Sequence, residues 1–308
     1  MVKLFEKVSL RGLELKNRIV VSPMGMYSAE NGCVTPFHLV HYGKFAMGGA
    51  GLVIVEQTSV SRHGRITNGD PGLWHDNQID GMRQVVHVIK ANGAAAGIQI
   101  NHGGRKSGQQ RVFRGNGPLT DRDIEMGEET WTPTGPSDVR FADGYSDPVP
   151  LSKDGLIGTR DAFVAAARRA VLAGFDLVEL HMAHGYLLQS FLSPLANFRT
   201  DEYGGARENR MRFPLEVTRA VRAAIPAGMP LFVRISATTG SKAAGRSRTV
   251  SSSRASSRRS ASISSIARPV GICASARPTL TSRAARATRF PSPIRSGVNR
   301  ASPQEPSA

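Results

Sequence analysis

The run Glu179-Leu180-His181-Met182-Ala183-His184-Gly185-Tyr186 carries the densest chemistry in the chain. Two imidazoles followed by a phenol can aim two N–H groups at one oxygen and hold a proton donor beside it. Converging N–H groups stabilise a carbonyl oxygen as it gains negative charge, and a phenol can supply a proton in the same step. His-x-x-His is also zinc-ligand spacing, but zinc needs a third ligand brought in by another element, and no Cys or His stands out for that part. For an isolated pair, two satisfied structural histidines are as good a reading. Downstream, Asn197-Phe198-Arg199-Thr200-Asp201-Glu202-Tyr203-Gly204-Gly205 precedes Glu208-Asn209-Arg210. It reads as a polar loop with a Gly-Gly turn, leading into a helix with acidic residues near its start.

The elements that must position these groups alternate along the first 236 residues. Short Val- and Ile-rich runs at 18–22, 52–57, 97–101, 176–181 and 231–236 predict parallel strands covered on both faces. Helical stripes lie between them: Met82, Val85, Val86 and Ile89, stopped by Asn92-Gly93, and then Phe213, Val217 and Val221, closed by Pro226. Phe163, Val164, Ala167, Ala170 and Val171 form a third stripe, with Thr159 the expected N-cap and Gly174 the exit. Strand-helix repetition of this kind predicts a parallel α/β fold, with the histidines at the C-terminal mouth of the strands. Residues 103–150, rich in Gly, Pro, Asp and Thr, interrupt the rhythm as a long loop of the kind that carries function.

The formal charge of +16 suggests a polyanion partner, but it is unevenly placed. Residues 241–308 hold 13 Lys and Arg against one acid, a net +12, and leave +4 for residues 1–240. With 17 Ser, 12 Ala and a single Phe, that tail shows no period of 2 or 3.6, and disorder is expected there. Out-of-frame reading of a GC-rich gene explains this composition better than an RNA-binding tail, which would interleave aromatic residues among its charges. No apolar run reaches membrane-spanning length, and the N-terminus has no signal core. Cys33 and Cys273 make no disulfide framework, so a reducing cytoplasm is expected.

The two polar motifs together resemble the signature of the old yellow enzyme family, FMN-dependent ene-reductases built on a (β/α)₈ TIM-type barrel. Lys16-Asn17-Arg18, Ser22-Pro23-Met24, Thr35-Pro36-Phe37-His38, Gln99 and Arg234 agree in order and spacing. The resemblance covers nearly all of residues 1–240, about five of the eight barrel strands. It implies that Ser22, Pro23, Met24 and Gly25 lie against the flavin ring, with Ser59 beside it. Gln99 would meet the pyrimidine edge, and Arg234 would place a positive charge near N1 and O2, where the reduced ring is negative. Tyr27 would line the substrate side, His181 and His184 would hold the substrate carbonyl, and Tyr186 would be the proton donor. The implied activity passes hydride from NADPH or NADH through FMN to the activated C=C of an enone or related electron-poor alkene. Arg105-Lys106 reads more readily as a solvated charge pair than as a contact for the nicotinamide cofactor's phosphate. Gly25 stands where one branch of the family has Cys and others often Thr, so a side chain able to polarise the flavin is missing. Two other readings stand beside the enzyme: a non-catalytic truncated barrel that fails to hold FMN, and a polyanion binder acting through the tail. A completed barrel could form a homo-oligomer.

Overall fold

The computed structural model describes residues 3–236; the basic tail, and the disorder and origin expected for it, lie outside the described residues. The chain opens with an antiparallel hairpin, β1 (Val8–Leu10) and β2 (Leu13–Leu15), before the short strand β3 (Val20–Val21). Next come α1 (Pro36–Met47), β4 (Leu52–Ser59), α2 (Ile79–Ala91) and β5 (Ala95–Asn101). The long excursion after β5 carries the helical turn α3 (Asp121–Glu125) and a parallel two-stranded ladder, β6 (Thr134–Gly135) with β7 (Val149–Pro150). Then follow α4 (Lys153–Ala173), β8 (Leu177–Met182), α5 (Leu187–Leu192), α6 (Arg207–Ala224) and β9 (Leu231–Ile235).

Strands β3, β4, β5, β8 and β9 form one parallel sheet in that order, with β3 and β9 at its edges among the described residues. Each strand pairs with the next in the series, as in an arc of a (β/α)₈ barrel. The two faces are chemically distinct because side chains alternate along a strand. Val53, Val55, Ala96, Ile98, Val178 and Leu180 face the helices, packing with Val85, Ile89, Phe163, Phe213 and Val217 into the main core. Leu52, Ile54 and Leu177 point the other way, to a smaller cluster with Leu15 of the hairpin and with Ala95 and Phe232. That second face is the barrel interior. Gly97 belongs to it, since a Cβ there would meet Leu177 and Ile54 at 3.1 and 3.2 Å.

The interior changes character toward the C-terminal ends of the strands. A bulge between Val55 and Gln57 shifts the alternation of β4. Glu56 therefore turns to the helix side, where it meets Tyr42 of α1. Gln57 then aligns with Gln99 and Glu179, and Ser59 with Asn101; one level up, His181 aligns with Arg234. A greasy floor thus gives way to two polar rows at the mouth of the arc.

One helix expectation changes. The N-cap of α4 lies seven residues before Thr159, at Ser152, whose Oγ accepts the Gly155 N–H at 3.0 Å. Thr159 sits inside the helix and donates its hydroxyl to Gly155 O at 2.7 Å. The Gly174 exit holds, in left-handed geometry at φ 93°. Ser152→Ala is expected to destabilise the fold by about 1 kcal/mol, read as a lowered midpoint in urea. α1 and α5 lacked a clear sequence stripe. α1 is instead marked by a proline in its first turn and by Thr35 and His38 bonding across the cap.

Candidate active site

His181 lies near the end of β8 on the interior face and is 3% exposed. Its Nδ1 accepts the Ala183 N–H at 3.2 Å, which leaves the ring proton on Nε2. The chain then turns sharply: His184 and Gly185 both take left-handed backbone angles, φ 59° and 79°. His184 is fastened on both sides, its N–H donating to Ser236 Oγ at 3.1 Å and its carbonyl accepting from Lys106 Nζ at 2.7 Å. This turn returns Tyr186 to the histidines. Its ring stands edge-on to His181 with centroids 4.8 Å apart, and the two imidazoles are 5.0 Å apart.

The electrostatics suit neutral hydrogen-bond chemistry. Burial, helped by the positive charges of Arg234 and Lys106, holds His184 at about 4. Burial, with His184 and the same cations, holds His181 well below the ordinary imidazole value. Burial raises the Tyr186 phenol, and the negative field of Asp70 adds to it. At neutral pH the cluster therefore offers two uncharged imidazoles and a protonated phenol. Each neutral ring keeps one N–H available to donate, without a positive charge.

Tyr27 holds a strained position, a non-glycine residue at φ 56°. Three neighbours hold it there. Glu56 Oε2 accepts the Met26 N–H at 2.6 Å, and Arg111 Nη1 donates to Tyr27 O at 3.0 Å. Gly69 packs so close that a Cβ would fall 2.2 Å from Tyr27 O. The Tyr27 ring tip in turn lies over Gly25, where a Cβ would approach it to 3.1 Å. The missing side chain at position 25 and the placement of Tyr27 are thus one feature.

The two polar rows run across the neighbouring strands, the upper one level with His181. Gln99 Nε2 donates to Glu179 Oε1 at 2.7 Å, and Asn101 Nδ2 donates to Gln57 Oε1 at 3.1 Å. Arg234 reaches from β9 to Pro23 O at 3.4 Å, joining the strand to the segment that follows β3. Gln57 Nε2 and Asn101 Oδ1 are buried without a hydrogen-bond partner among the described residues. Gln57 lies near enough to Asp70 to favour its charge, but not in hydrogen-bond geometry. A buried unpaired donor and acceptor are costly. Side by side, they suit a ligand edge that offers both an N–H and a carbonyl.

The structure brings His181, His184 and Tyr186 into contact, sets Gln99 and Arg234 on neighbouring interior rows, and joins Arg234 to Pro23. Tyr27 and Gly25 are packed together. Ser22 and Met24 are exposed. Ser59 is fully buried, with its hydroxyl turned onto Ser61 O at 2.7 Å. The solvated reading of Arg105-Lys106 is corrected. Arg105 Nη1 donates to Val139 O and Arg140 O, and Lys106 sits over the Phe141 ring at 4.2 Å besides bonding His184. Both tie the excursion to the mouth of the arc. Glu56, Gln57 and Asn101 were missed and Glu179 was given no role, although polar residues inside otherwise apolar strands were their signal.

The Asn197–Gly205 motif proves structural. Asn197 Nδ2 donates to Phe191 O and Tyr203 O, both at 2.8 Å, while Arg199 pairs with Asp201 and donates to Leu151 O at 2.6 Å. It ties α5 and the approach to α6 to the far end of the excursion. Among the described residues no three His, Cys, Asp or Glu side chains group to hold a metal ion, which leaves the zinc reading without its third ligand. No helix among them is long and apolar enough to cross a membrane.

Known proteins resemble this chain in sequence and fold. The NADPH dehydrogenase of Bacillus cytotoxicus is 47% identical over 237 residues, which cover 76% of this chain and 62% of that protein. Among solved structures, morphinone reductase is 31% identical with a TM-score of 0.67, covering 80% of this chain and 66% of its own. An old yellow enzyme from Pichia sp. AKU4542 is 28% identical with a TM-score of 0.69, over 79% of this chain and 62% of its own. The chain spans about three-fifths of the length of the curated relatives it matches. A sequence profile described as the NADH:flavin oxidoreductase / NADH oxidase family matches residues 3–257, past the boundary near 240 that the motifs suggested. The chain belongs to the NADH:flavin oxidoreductase / NADH oxidase family.

Proposed function

We propose that this site binds FMN and reduces the activated C=C of an α,β-unsaturated carbonyl with electrons from NADPH or NADH. The observation that carries the reading is the meeting of His181, His184 and Tyr186 in one cluster, with Arg234 level with His181, Gln99 one row below, and the unpaired Gln57 and Asn101 atoms on the neighbouring strands. When bound, FMN supplies hydride transfer between the nicotinamide and the alkene. The protein does the rest. Gln99, Gln57 and Asn101 meet the polar edge of the ring, and Arg234 supplies positive charge at the interior row. His181 and His184 donate N–H bonds to the substrate carbonyl oxygen, which withdraws electrons from the conjugated alkene. Tyr186, kept protonated by burial, delivers the proton to the carbon next to that carbonyl. Tyr27, clamped by Glu56 and Arg111, bounds the substrate from the other side.

Titration of the purified protein with FMN, followed by quenching of flavin fluorescence, tests the cofactor. NADPH oxidation dependent on 2-cyclohexenone tests the reaction. Saturable quenching with enone-dependent turnover is expected. A chain that keeps the site but holds no flavin is the second reading, motivated by the unpaired edges β3 and β9 among the described residues. Absence of quenching at micromolar FMN would establish it over the first.

A further inference from the structure

Glu179 has no part in the chemistry above, yet it lies in the lower of the two polar rows, between Gln99 and the β9 strand. It is 8% exposed and pairs in register with Gln99 on β5, while Arg234 lies one row up on β9. Polar residues this deep in a parallel strand are kept only with partners, and here the partner is the Gln99 amide at 2.7 Å.

The bond has a direction. An ionised carboxylate accepts and cannot donate. It therefore selects the NH₂ end of the Gln99 carboxamide and leaves the oxygen for whatever lies above. A flavin pyrimidine ring presents an imide N–H between two carbonyls, and an outward-facing amide oxygen matches that N–H. The carboxylate also lies in the field of Arg234, whose charge draws it toward ionisation. Reciprocally, it weakens the positive potential that Arg234 projects into the site.

We propose that Glu179 is a positioning residue for the flavin's pyrimidine edge, fixing the Gln99 carboxamide with its oxygen toward the ring and offsetting part of the Arg234 charge. The proposal rests on the FMN reading. It assigns Glu179 two separable effects, one on hydrogen-bond polarity and one on charge. Burial pushes its carboxyl up to about 7 against the pull of Gln99 and Arg234, so protonation near neutrality removes both effects together. The charged and titratable groups around it are Arg234 from β9 and His181 on its own strand; β4 and β5 contribute the neutral carboxamides Gln57 and Gln99.

The first test needs no flavin. In the purified protein, the Gln99 side-chain amide proton held by Glu179 should titrate near neutral pH by NMR. Glu179→Gln should abolish that titration, and Glu179→Asp, which keeps an acceptor-only group, should restore it. A merely structural role would leave Asp, shorter by a methylene, no better than Gln. A Gln99 resonance that does not titrate, or equal behaviour of the two variants, overturns the proposal. The second test compares affinities for oxidised and dithionite-reduced FMN. With the offsetting charge removed, Glu179→Gln should favour the reduced form by on the order of tenfold, or about 1.4 kcal/mol. An unchanged ratio overturns the charge effect. If no variant binds FMN while the NMR pattern holds, the flavin reading falls and the polarity imposed on Gln99 stands.

Discussion

In the flavin-loaded protein, Tyr186→Phe is expected to slow reduction of 2-cyclohexenone by on the order of 10²–10⁴-fold, the range for losing one positioned proton donor. NADPH consumption in the first half-reaction should keep its rate, because no proton from Tyr186 is needed there. Phe fills the same space and keeps the edge-on contact with His181, so the fold and the carbonyl-binding pair stay in place. Nothing else in the cluster replaces the lost acid. His181 Nδ1 is engaged with Ala183 N–H, and His184 is held neutral with its value near 4. A neutral imidazole is a good hydrogen-bond donor and a poor acid. Stopped-flow measurement of the two half-reactions separates the cases. Equal slowing of both would remove Tyr186 from the role assigned to it.

How much of this was legible in the sequence follows from what each residue depends on. The strands showed because burial on both faces demands continuous Val and Ile, and the ends of β4, β5, β8 and β9 fell within two residues of the expected places. The His181, His184 and Tyr186 cluster showed because its members are near in sequence and on one turn. Residues acting across strands were partly hidden. Gln57 and Glu56 exchange faces only because of the bulge after Val55, and a strict period of two puts Glu56 inside and Gln57 outside. Ser59 was expected beside the flavin from the family resemblance; the bulge sets it in register with Asn101, and its hydroxyl donates to Ser61 O two residues away. The clamp on Tyr27 was invisible. Arg111 comes from the excursion, 84 positions along the chain, and glycine at 69 gives no hint of which carbonyl it approaches.

Glu56 gives the largest effect expected on the fold itself. Glu56→Gln should gain stability relative to the parent as pH rises, by up to about 3 kcal/mol between pH 4.5 and 8. The side chain is fully buried on the helix side of β4, where Tyr42 Oη donates to it at 2.8 Å and Met26 N–H at 2.6 Å. His38 Nε2 points toward it at 3.6 Å, beyond hydrogen-bond reach, and among the described residues no Lys or Arg pairs with it. Burial therefore raises its carboxyl from 4.5 to about 7, despite the bonds that favour the anion. A folded-state value above the unfolded one means the native state binds the proton more tightly. That contribution is complete below pH 4.5 and is lost as pH climbs through 7. Glutamine cannot ionise, so the variant loses nothing over the same window, and its carboxamide oxygen can still accept from Met26 N–H. Asp70, raised to about 6, and Glu179, raised to about 7, act in the same direction in both proteins. His102 and His184, lowered to about 4, act in the opposite direction as pH falls from 6.5. Glu179, His102 and His184 are common to parent and variant and cancel in the difference; Asp70, whose charge raises the Glu56 carboxyl, loses a negative neighbour in the variant and shifts the difference in the same direction. Urea unfolding followed by the fluorescence of Trp74 and Trp131 at pH 5, 6, 7 and 8 gives that difference directly. Parallel stabilities across the series would mean that Glu56 keeps an ordinary carboxyl value, and that the anchor beneath Met26 and Tyr27 is ionised at every pH.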